Sequence, residues 1–372
     1  MRLIQKASLT HHYLCHGIAS KTDEDQERAE MAKIAVLCGG KASDGPYGID
    51  LMSRELGHSL LEVPSAHTPA HIKLRDVLEH RLGFPLDKAV RSLPRIASAD
   101  VLFCFLESFA VFPSLLKQKK IPPFANTPLA MISCWLAEEI RHLPQSERAQ
   151  LVKTYAGVDL NFVLSGNQID ILVDSGFAED RVESVNFGFA PELFSYEAGA
   201  QRPLQLSALG FDRGRDYRTL IEAVRPLSIE LNLYTRPEII EGIDLPENVR
   251  FHGTVPFEAY IEVLHSSDMV AVPTVELAYP TGQTVALEAA ATGAALLLTD
   301  SRAMRYYFSD DTACFIGQGD VEGWRRAITD LAQSPEHRRA IGARAAHHVH
   351  ANLKYIDMWT AIEKAFARRG WI

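Results

Sequence analysis

The chain of 372 residues has no apolar run approaching the roughly 18 residues that a membrane-spanning helix needs. Its first residues lack the apolar core of a signal peptide. The five cysteines, Cys15, Cys38, Cys104, Cys134 and Cys314, form no C-x-x-C pair, which argues against a disulfide framework. Reduced thiols in a cytoplasmic protein are the expectation. There is no excess of positive charge either: the net charge is −9, so no general affinity for nucleic acid follows. A G-x-G-x-x-G fingerprint is missing and no acidic residue is clearly placed for a ribose behind one, which disfavours a dinucleotide-dependent reductase. What remains is ordinary for a globular chain, 47% hydrophobic and 23% charged, and its length predicts two domains.

The first stretch, residues 1–31, is polar and reads as an extension. His11, His12, Cys15 and His16 are metal-ligand types, yet no second ligand pair follows at zinc-finger spacing, so a loosely docked segment is the plainer reading. From Lys33 short apolar runs alternate with helix signals. "KIAVLCGG", "ADVLFCFL", "PLAMISCW" and "LNFVLS" read as buried parallel strands. The pattern pauses where Pro191, Gly199 and Pro203 gather, then restarts with "LQLSALG", "IELNLYT", "VRFHGTV", "MVAVPT" and "AALLLTD". Such alternation predicts an α/β protein of two Rossmann-like, doubly wound units. Their expected spans are 32–200 and 201–350, with 351–372 a helix crossing back to the first. Ligands in such sheets sit at the carboxyl ends of strands, and two facing units would offer the cleft between them.

One helix poses a chemical question. In "YPTGQTVALEAAATGAALLLTD", residues 279–300, the helix is apolar on most sides yet carries Glu288. A helix of that kind is buried, and a buried carboxylate needs a partner. Thr281 is a candidate N-cap, and Thr281, Thr284 and Glu288 would share one face. The helix start, with its free N–H groups and positive dipole end, suits an anion such as a diphosphate. Glu288 would then accept hydrogen bonds from sugar hydroxyls. A plain ion pair between Glu288 and a nearby arginine fits these residues equally well.

The same stretch resembles the signature of retaining glycosyltransferases of family four, GT-B enzymes related to glycogen and sucrose synthases. "LSALGFDRGRDYRTLIEAV", "NVRFHGTVPFEAYIEVLHSSDMVAVPT" and "NFVLSGNQIDILVDSGFAEDRVESVNFGFAPELF" resemble further segments of that family in the right order, over most of 165–300. The resemblance implies a GT-B fold and transfer of a sugar from a nucleoside-diphosphate sugar to a small-molecule, glycan or lipid-linked acceptor. It implies retention at the anomeric carbon, by front-face attack assisted by the leaving diphosphate. Neither metal nor cofactor is expected. Carried over by position, Glu288 would hold the ribose, and Thr281, Gly282, Gln283 and Thr284 would meet the diphosphate and donor sugar. Arg215 and Arg213 would grip the diphosphate, guanidinium being a fixed cationic fork for phosphate oxygens. An exposed charged turn is the bland alternative for that pair. Gly253 and Val255 would meet the base, unless that turn is purely structural.

Two departures stand out. Pro280 replaces the first glutamate of the usual pair, and Ser133, Cys134 and Trp135 lie where many members have a histidine. Glu276, in a loop longer than usual, is a candidate for the donor sugar, although a surface glutamate is the plainer account. On the acceptor side the resemblance points to Gly39, Gly40, Asp44, Gly45 and Tyr47, in the loop after the first strand. His58 and Trp324 read as structural. "KQKK" at 117–120 reads as a solvated run before it reads as a membrane contact. The departures leave a non-catalytic GT-B subunit as the alternative function. An epimerase or a pyridoxal-dependent phosphorylase fits less well, since no lysine stands convincingly where the latter would hold its cofactor.

Overall fold

The computed structural model describes residues 31–198 and 203–372. The polar extension, with His11, His12, Cys15 and His16, and part of the stretch around residue 200 lie outside them. Twelve parallel strands form two sheets among the described residues. The first contains β1 (Lys33–Leu37), β2 (Ser59–Leu61), β3 (Val101–Phe105), β4 (Leu129–Ser133), β5 (Leu160–Val163) and β6 (Val182–Ser184), in the order β2-β1-β3-β4-β5-β6. The second contains β7 (Leu206–Leu209), β8 (Leu231–Tyr234), β9 (Val249–Phe251), β10 (Met269–Val272), β11 (Ala295–Thr299) and β12 (Cys314–Ile316), in the order β12-β11-β10-β7-β8-β9. The chain therefore reverses direction across the first sheet between β1 and β3, and across the second between β7 and β10. Those are the two topological switch points, where an open parallel sheet leaves a crevice at its carboxyl edge.

By compactness the chain divides into two units. One holds the described residues up to Val163 together with Ile169–Val185 and Trp359–Ile372; the other holds Leu164–Gln168 and Asn186–Met358. In the first unit β3 and β4 are buried throughout, as continuous apolar strands covered on both faces must be. Trp359 is sealed there, its ring 5.6 Å edge-on from Phe103 and its indole N–H donating to the Tyr47 carbonyl at 3.0 Å. His58 bonds Glu363 at 2.8 Å, a structural role. Lys117 of the "KQKK" run turns onto Asp159 at 2.6 Å, so it is not part of a free basic patch.

In the second unit the core gathers β7, β8, β10 and β11 with Tyr217, Leu220, Ile221, Trp324 and Ile328. Each such buried side chain contributes roughly 1.5–3 kcal/mol of apolar transfer. The helix Tyr217–Val224 starts where Asp216 accepts from the Thr219 amide at 3.2 Å, a side-chain N-cap. The helix Gln283–Ala291 is buried at every position except Thr284, as its composition demands. Its run of alanines favours helix at no rotamer cost. Among the described residues no helix is long and apolar enough to cross a membrane, and the described cysteines are free.

Candidate functional site

The second sheet's switch point collects most of the residues singled out in the sequence. The loop after β7 carries Asp212, Arg213 and Arg215; the loop after β10 leads through Glu276 to Thr281 and Gly282. The two loops are stitched together by backbone. Arg215 bridges Thr274, the Asp216 amide donates to the Pro273 carbonyl at 3.0 Å, and the Val275 amide donates to the Gly214 carbonyl at 2.8 Å. From the N-terminal half of the sequence, Asn167 Nδ2 donates to the Ala278 carbonyl at 3.0 Å and steadies the second loop.

At the centre stands Asp212, a residue that the motifs alone did not single out. Its Oδ1 accepts from Arg215 Nε at 2.8 Å, and its Oδ2 faces the Thr281 hydroxyl at 2.8 Å and the Gly282 amide at 3.0 Å. Thr281 is thus not the N-cap expected from the sequence. The helix Gln283–Ala291 is preceded by Gly282 at φ 82°, while the Thr281 hydroxyl lies between Asp212 Oδ2 and the Arg213 carbonyl. The turn has its own reason: Gly282 needs a positive φ, and a Cβ there would collide with Val272. Gly210, also at positive φ, leaves room for the Arg215 guanidinium, which a Cβ would strike.

The Arg215 side chain is 1% exposed. Burial alone would lower its pKa, but the Asp212 carboxylate outweighs that and raises it. Burial pushes the Asp212 carboxyl up in turn; the Arg215 charge and the Thr281 hydroxyl outweigh that and hold it below its usual range. The Tyr217 hydroxyl, which donates to the Gly210 carbonyl at 2.6 Å, is pushed up to about 12 by burial. The Arg215 Nη1 is buried without a hydrogen-bond partner. Arg213, by contrast, is exposed, so the expected pair of phosphate forks is one buried guanidinium and one surface guanidinium.

Glu288 is 7% exposed and its partner is neither an arginine nor solvent but the Tyr260 hydroxyl, which donates to Oε2. Burial raises the Glu288 carboxyl to about 8, a shift that the Tyr260 hydrogen bond opposes. The Arg215 charge acts on Tyr260 as well, so the two acidic sites share one electrostatic neighbourhood. Gln283 is buried; its Nε2 donates to the Tyr279 hydroxyl at 3.0 Å and its Oε1 has no partner. Glu276 accepts from the Arg302 amide at 3.3 Å, and its own amide donates to Gln318 at 2.9 Å. Gly253, at φ 71°, and half-buried Val255 follow β9. Tyr260 was legible only as part of the segment "FEAYIEVLHSSD"; the i, i+3 spacing of Asp212 and Arg215 was the signal available for their pair.

The residues expected on the acceptor side lie in the first unit, in the loop after β1. A Cβ at Gly39 or Gly40 would meet nothing, so close packing does not explain those glycines. Asp44 is exposed, Gly45 has φ 70°, and Tyr47 is a non-glycine at φ 54°, 47% exposed and stacked on Phe105 at 5.2 Å. Leu106, directly after β3, has φ 85°. The next residue, Glu107, accepts from the Cys134 and Trp135 amides at 3.0 and 2.9 Å. Among the described residues, no group of three or more His, Cys, Asp or Glu side chains gathers for a metal ion.

No curated protein matches this sequence significantly. Solved structures do match it in shape. Anabaena HepE in complex with UDP-glucose superposes with a TM-score of 0.67 at 13% identity, covering 91% of this chain and 100% of that one. A glycosyltransferase from Rickettsia africae gives 0.62 at 13% identity, over 91% and 98% of the two chains. Sucrose-phosphate synthase from Thermosynechococcus elongatus gives 0.61 at 14% identity, over 91% and 100%. The fold is therefore the two-domain α/β architecture of GT-B glycosyltransferases. Residues 215–364, which hold Glu288 and the helix that carries it, match the family model described as glycosyl transferase-like.

Proposed function

We propose that the protein is a glycosyltransferase that takes a sugar from a nucleoside-diphosphate donor and transfers it with retention at the anomeric carbon. One observation carries this reading: Arg215, Thr281 and Gly282 converge on a single carboxylate at the start of the helix that bears Glu288. A guanidinium, a hydroxyl and a helix amide around one anion are the donor set that a phosphate takes. Glu288, further along the same helix, would accept from the ribose hydroxyls with the oxygen that Tyr260 leaves free. Gly253 and Val255 would meet the base. Gln283, Thr284 and Glu276 are the side chains within this loop and helix for the donor sugar.

In the reaction the acceptor hydroxyl adds to the anomeric carbon on the face that the diphosphate leaves. The carbon–oxygen bond to the diphosphate breaks, and a leaving phosphate oxygen takes the hydroxyl proton. The protein's part is to stabilise the charge growing on that diphosphate through Arg215, the Thr281 hydroxyl and the Gly282 amide, with Arg213 at the rim. These groups supply the positive field, so activity without an added divalent metal is the expectation. Pro280, where related signatures have a glutamate, favours a second reading: a GT-B subunit that binds a sugar nucleotide without turning it over.

Because HepE is known bound to UDP-glucose, UDP and UDP-glucose come first among the test ligands, followed by GDP, ADP and their sugars. Calorimetric titration should show binding of one nucleoside diphosphate. Incubation with the matching sugar nucleotide, with and without EDTA, should release that diphosphate. Binding without release would favour the non-catalytic reading, and no binding by any of the three would end the donor-site assignment.

A further inference from the structure

The donor groups of the proposed phosphate cradle are already in use. Asp212 takes the Arg215 Nε with one oxygen and faces the Thr281 hydroxyl and the Gly282 amide with the other. It is also the outer layer: its side chain is 36% exposed, while that of Arg215 behind it is 1% exposed. The guanidinium is thus closed to solution, and the carboxylate on its Nε is the open member of the pair. Asp212 sits in a turn between two glycines of positive φ, Gly210 and Gly214. Behind it the cradle keeps one donor in reserve. Arg215 Nη1 is buried and unpartnered, and it points at the helix start, since a Cβ on Gly282 would stand 3.1 Å from it.

We propose that Asp212 is an internal competing anion that makes this site select a diphosphate over a single phosphate group; the inference rests on the donor-site reading above. A carboxylate and one phosphate group make nearly the same claim on the same three donors, so exchanging one for the other gains little. A diphosphate brings more charge and a second set of oxygens, enough to engage the spare Nη1 as well as the three donors it takes over. The displaced carboxylate also has to stay near the incoming anion, and that repulsion falls hardest on a ligand with few compensating contacts. Asp212 therefore sets a threshold. It keeps the cradle closed to inorganic phosphate and to nucleoside monophosphates, and it offers the departing diphosphate a built-in replacement once a sugar has been transferred.

The test compares UDP, UMP and uridine, or the matching guanosine or adenosine series if that is the diphosphate bound, on the full chain by calorimetry, in the wild type and in Asp212→Asn. The amide keeps the size of the carboxylate and removes its charge. The wild type should prefer UDP to UMP by at least a hundredfold, and Asp212→Asn should cut that preference at least tenfold by tightening UMP, leaving uridine unchanged. Asp212→Ser, which also removes the charge, should narrow the preference in the same direction and serves if Asp212→Asn does not fold. Thermal unfolding of the wild type needs no variant: pyrophosphate should raise the midpoint where equimolar phosphate does not. If the wild type binds UDP and the UDP-to-UMP preference is unchanged in both variants, Asp212 is not a competing anion and the donor site stands. If neither wild type nor variant binds any of UDP, GDP or ADP, the donor site itself is wrong and this proposal goes with it.

Discussion

The two sheets put different things at the same topological place. After β7 and β10 the crevice is built from charge and hydrogen bonds: a guanidinium, a hydroxyl and a helix amide gathered on one carboxylate, with one guanidinium nitrogen left unpartnered. The positive-φ positions there, Gly210, Gly214 and Gly282, are glycines packed against neighbours. After β1 and β3 the loops hold two glycines facing open space, Gly39 and Gly40, the positive-φ glycines Gly45 and Gly48, and, unlike the other crevice, two non-glycine residues of positive φ, Tyr47 and Leu106. One switch point is fitted closely around an anion. The other is strained and aromatic, with open space beside Gly39 and Gly40. On the function proposed above the contrast has a reason: a site for one fixed group, a diphosphate, would be held closely, while a loop facing a variable acceptor would gain from space and from side chains held off their relaxed geometry.

The largest test of this contrast is Arg215→Ala. It removes the cation of the fitted site and strands Asp212 beside a helix amide. Turnover should fall about a hundred- to a thousandfold, the scale of losing one charge-stabilising group, and nucleotide binding should fall with it. Circular dichroism should still show the fold. Full activity in this variant would refute the assignment of the site. A glycine pair comes next. Gly282→Ala meets Val272 at a positive φ and should cost about 3 kcal/mol of stability, strain and overpacking together. Gly40→Ala, in open space, should shift denaturant unfolding by no more than about 0.5 kcal/mol. Equal costs would erase the difference between the two loops.

Much of the donor side was legible in advance because its signals are local. The apolar run of β11, the alanine-rich helix and the glycine before it lie within about twenty residues, and composition alone says that such a helix is buried. The resemblance to the family-four signature added the roles proposed for Glu288 and Arg215, which the experiments above would test. What the sequence hid were the partners. Asp212 is three residues from Arg215, but its contacts with Thr281 and Gly282 span some seventy residues, a distance that no periodicity reports. The Tyr260–Glu288 bond links two helices in the same way. Both polar alternatives weighed for Glu288, a ribose or an arginine, left out a phenol, because nothing in the spacing of "FEAYIEVLHSSD" points its tyrosine at a residue 28 positions on. In the first unit the strain at Tyr47 and Leu106 was invisible for a plainer reason: neither residue type announces a positive φ.

The Glu288 site gives the fitted region a pH signature that nucleotide binding should report. Its carboxyl titrates at about 8 in the folded protein against an ordinary 4.5, so the folded state holds that proton more tightly than the unfolded chain. Stability from this group is accordingly lost as pH rises from about 4.5 through about 8. Ligand binding runs the other way. Ribose hydroxyls that donate to the carboxylate favour its ionised form, so nucleotide affinity should climb about tenfold between pH 6.5 and 8 and level off above. Glu288→Gln should flatten that rise. Tyr260→Phe removes a hydrogen bond that lowers the pKa, so the rise should move to higher pH. Calorimetry across the range decides it; a flat profile in the wild type would detach Glu288 from the ligand.

The smallest expected effect probes the other switch point. Leu106 sits at φ 85° and ψ 142°, a region that only glycine occupies without cost. Leu106→Gly should therefore recover strain of about 1–3 kcal/mol, set against about 1 kcal/mol of added chain entropy in the unfolded state and the loss of a half-buried side chain. The net change in denaturant unfolding should be within about 1 kcal/mol of zero. The informative readout is then not stability. Leu106 precedes Glu107, whose carboxylate caps the Cys134 and Trp135 amides, so the strained residue aims a half-buried acid at the start of the next loop. With glycine there, that aim relaxes while the fold stays. If the strain serves the acceptor, KM for the acceptor should rise severalfold while nucleotide affinity is unchanged, which would divide the molecule along the line drawn between its two crevices. A destabilisation above about 2 kcal/mol would show instead that the leucine holds its position by packing, and the strain would then be a by-product of the core rather than a feature of the site.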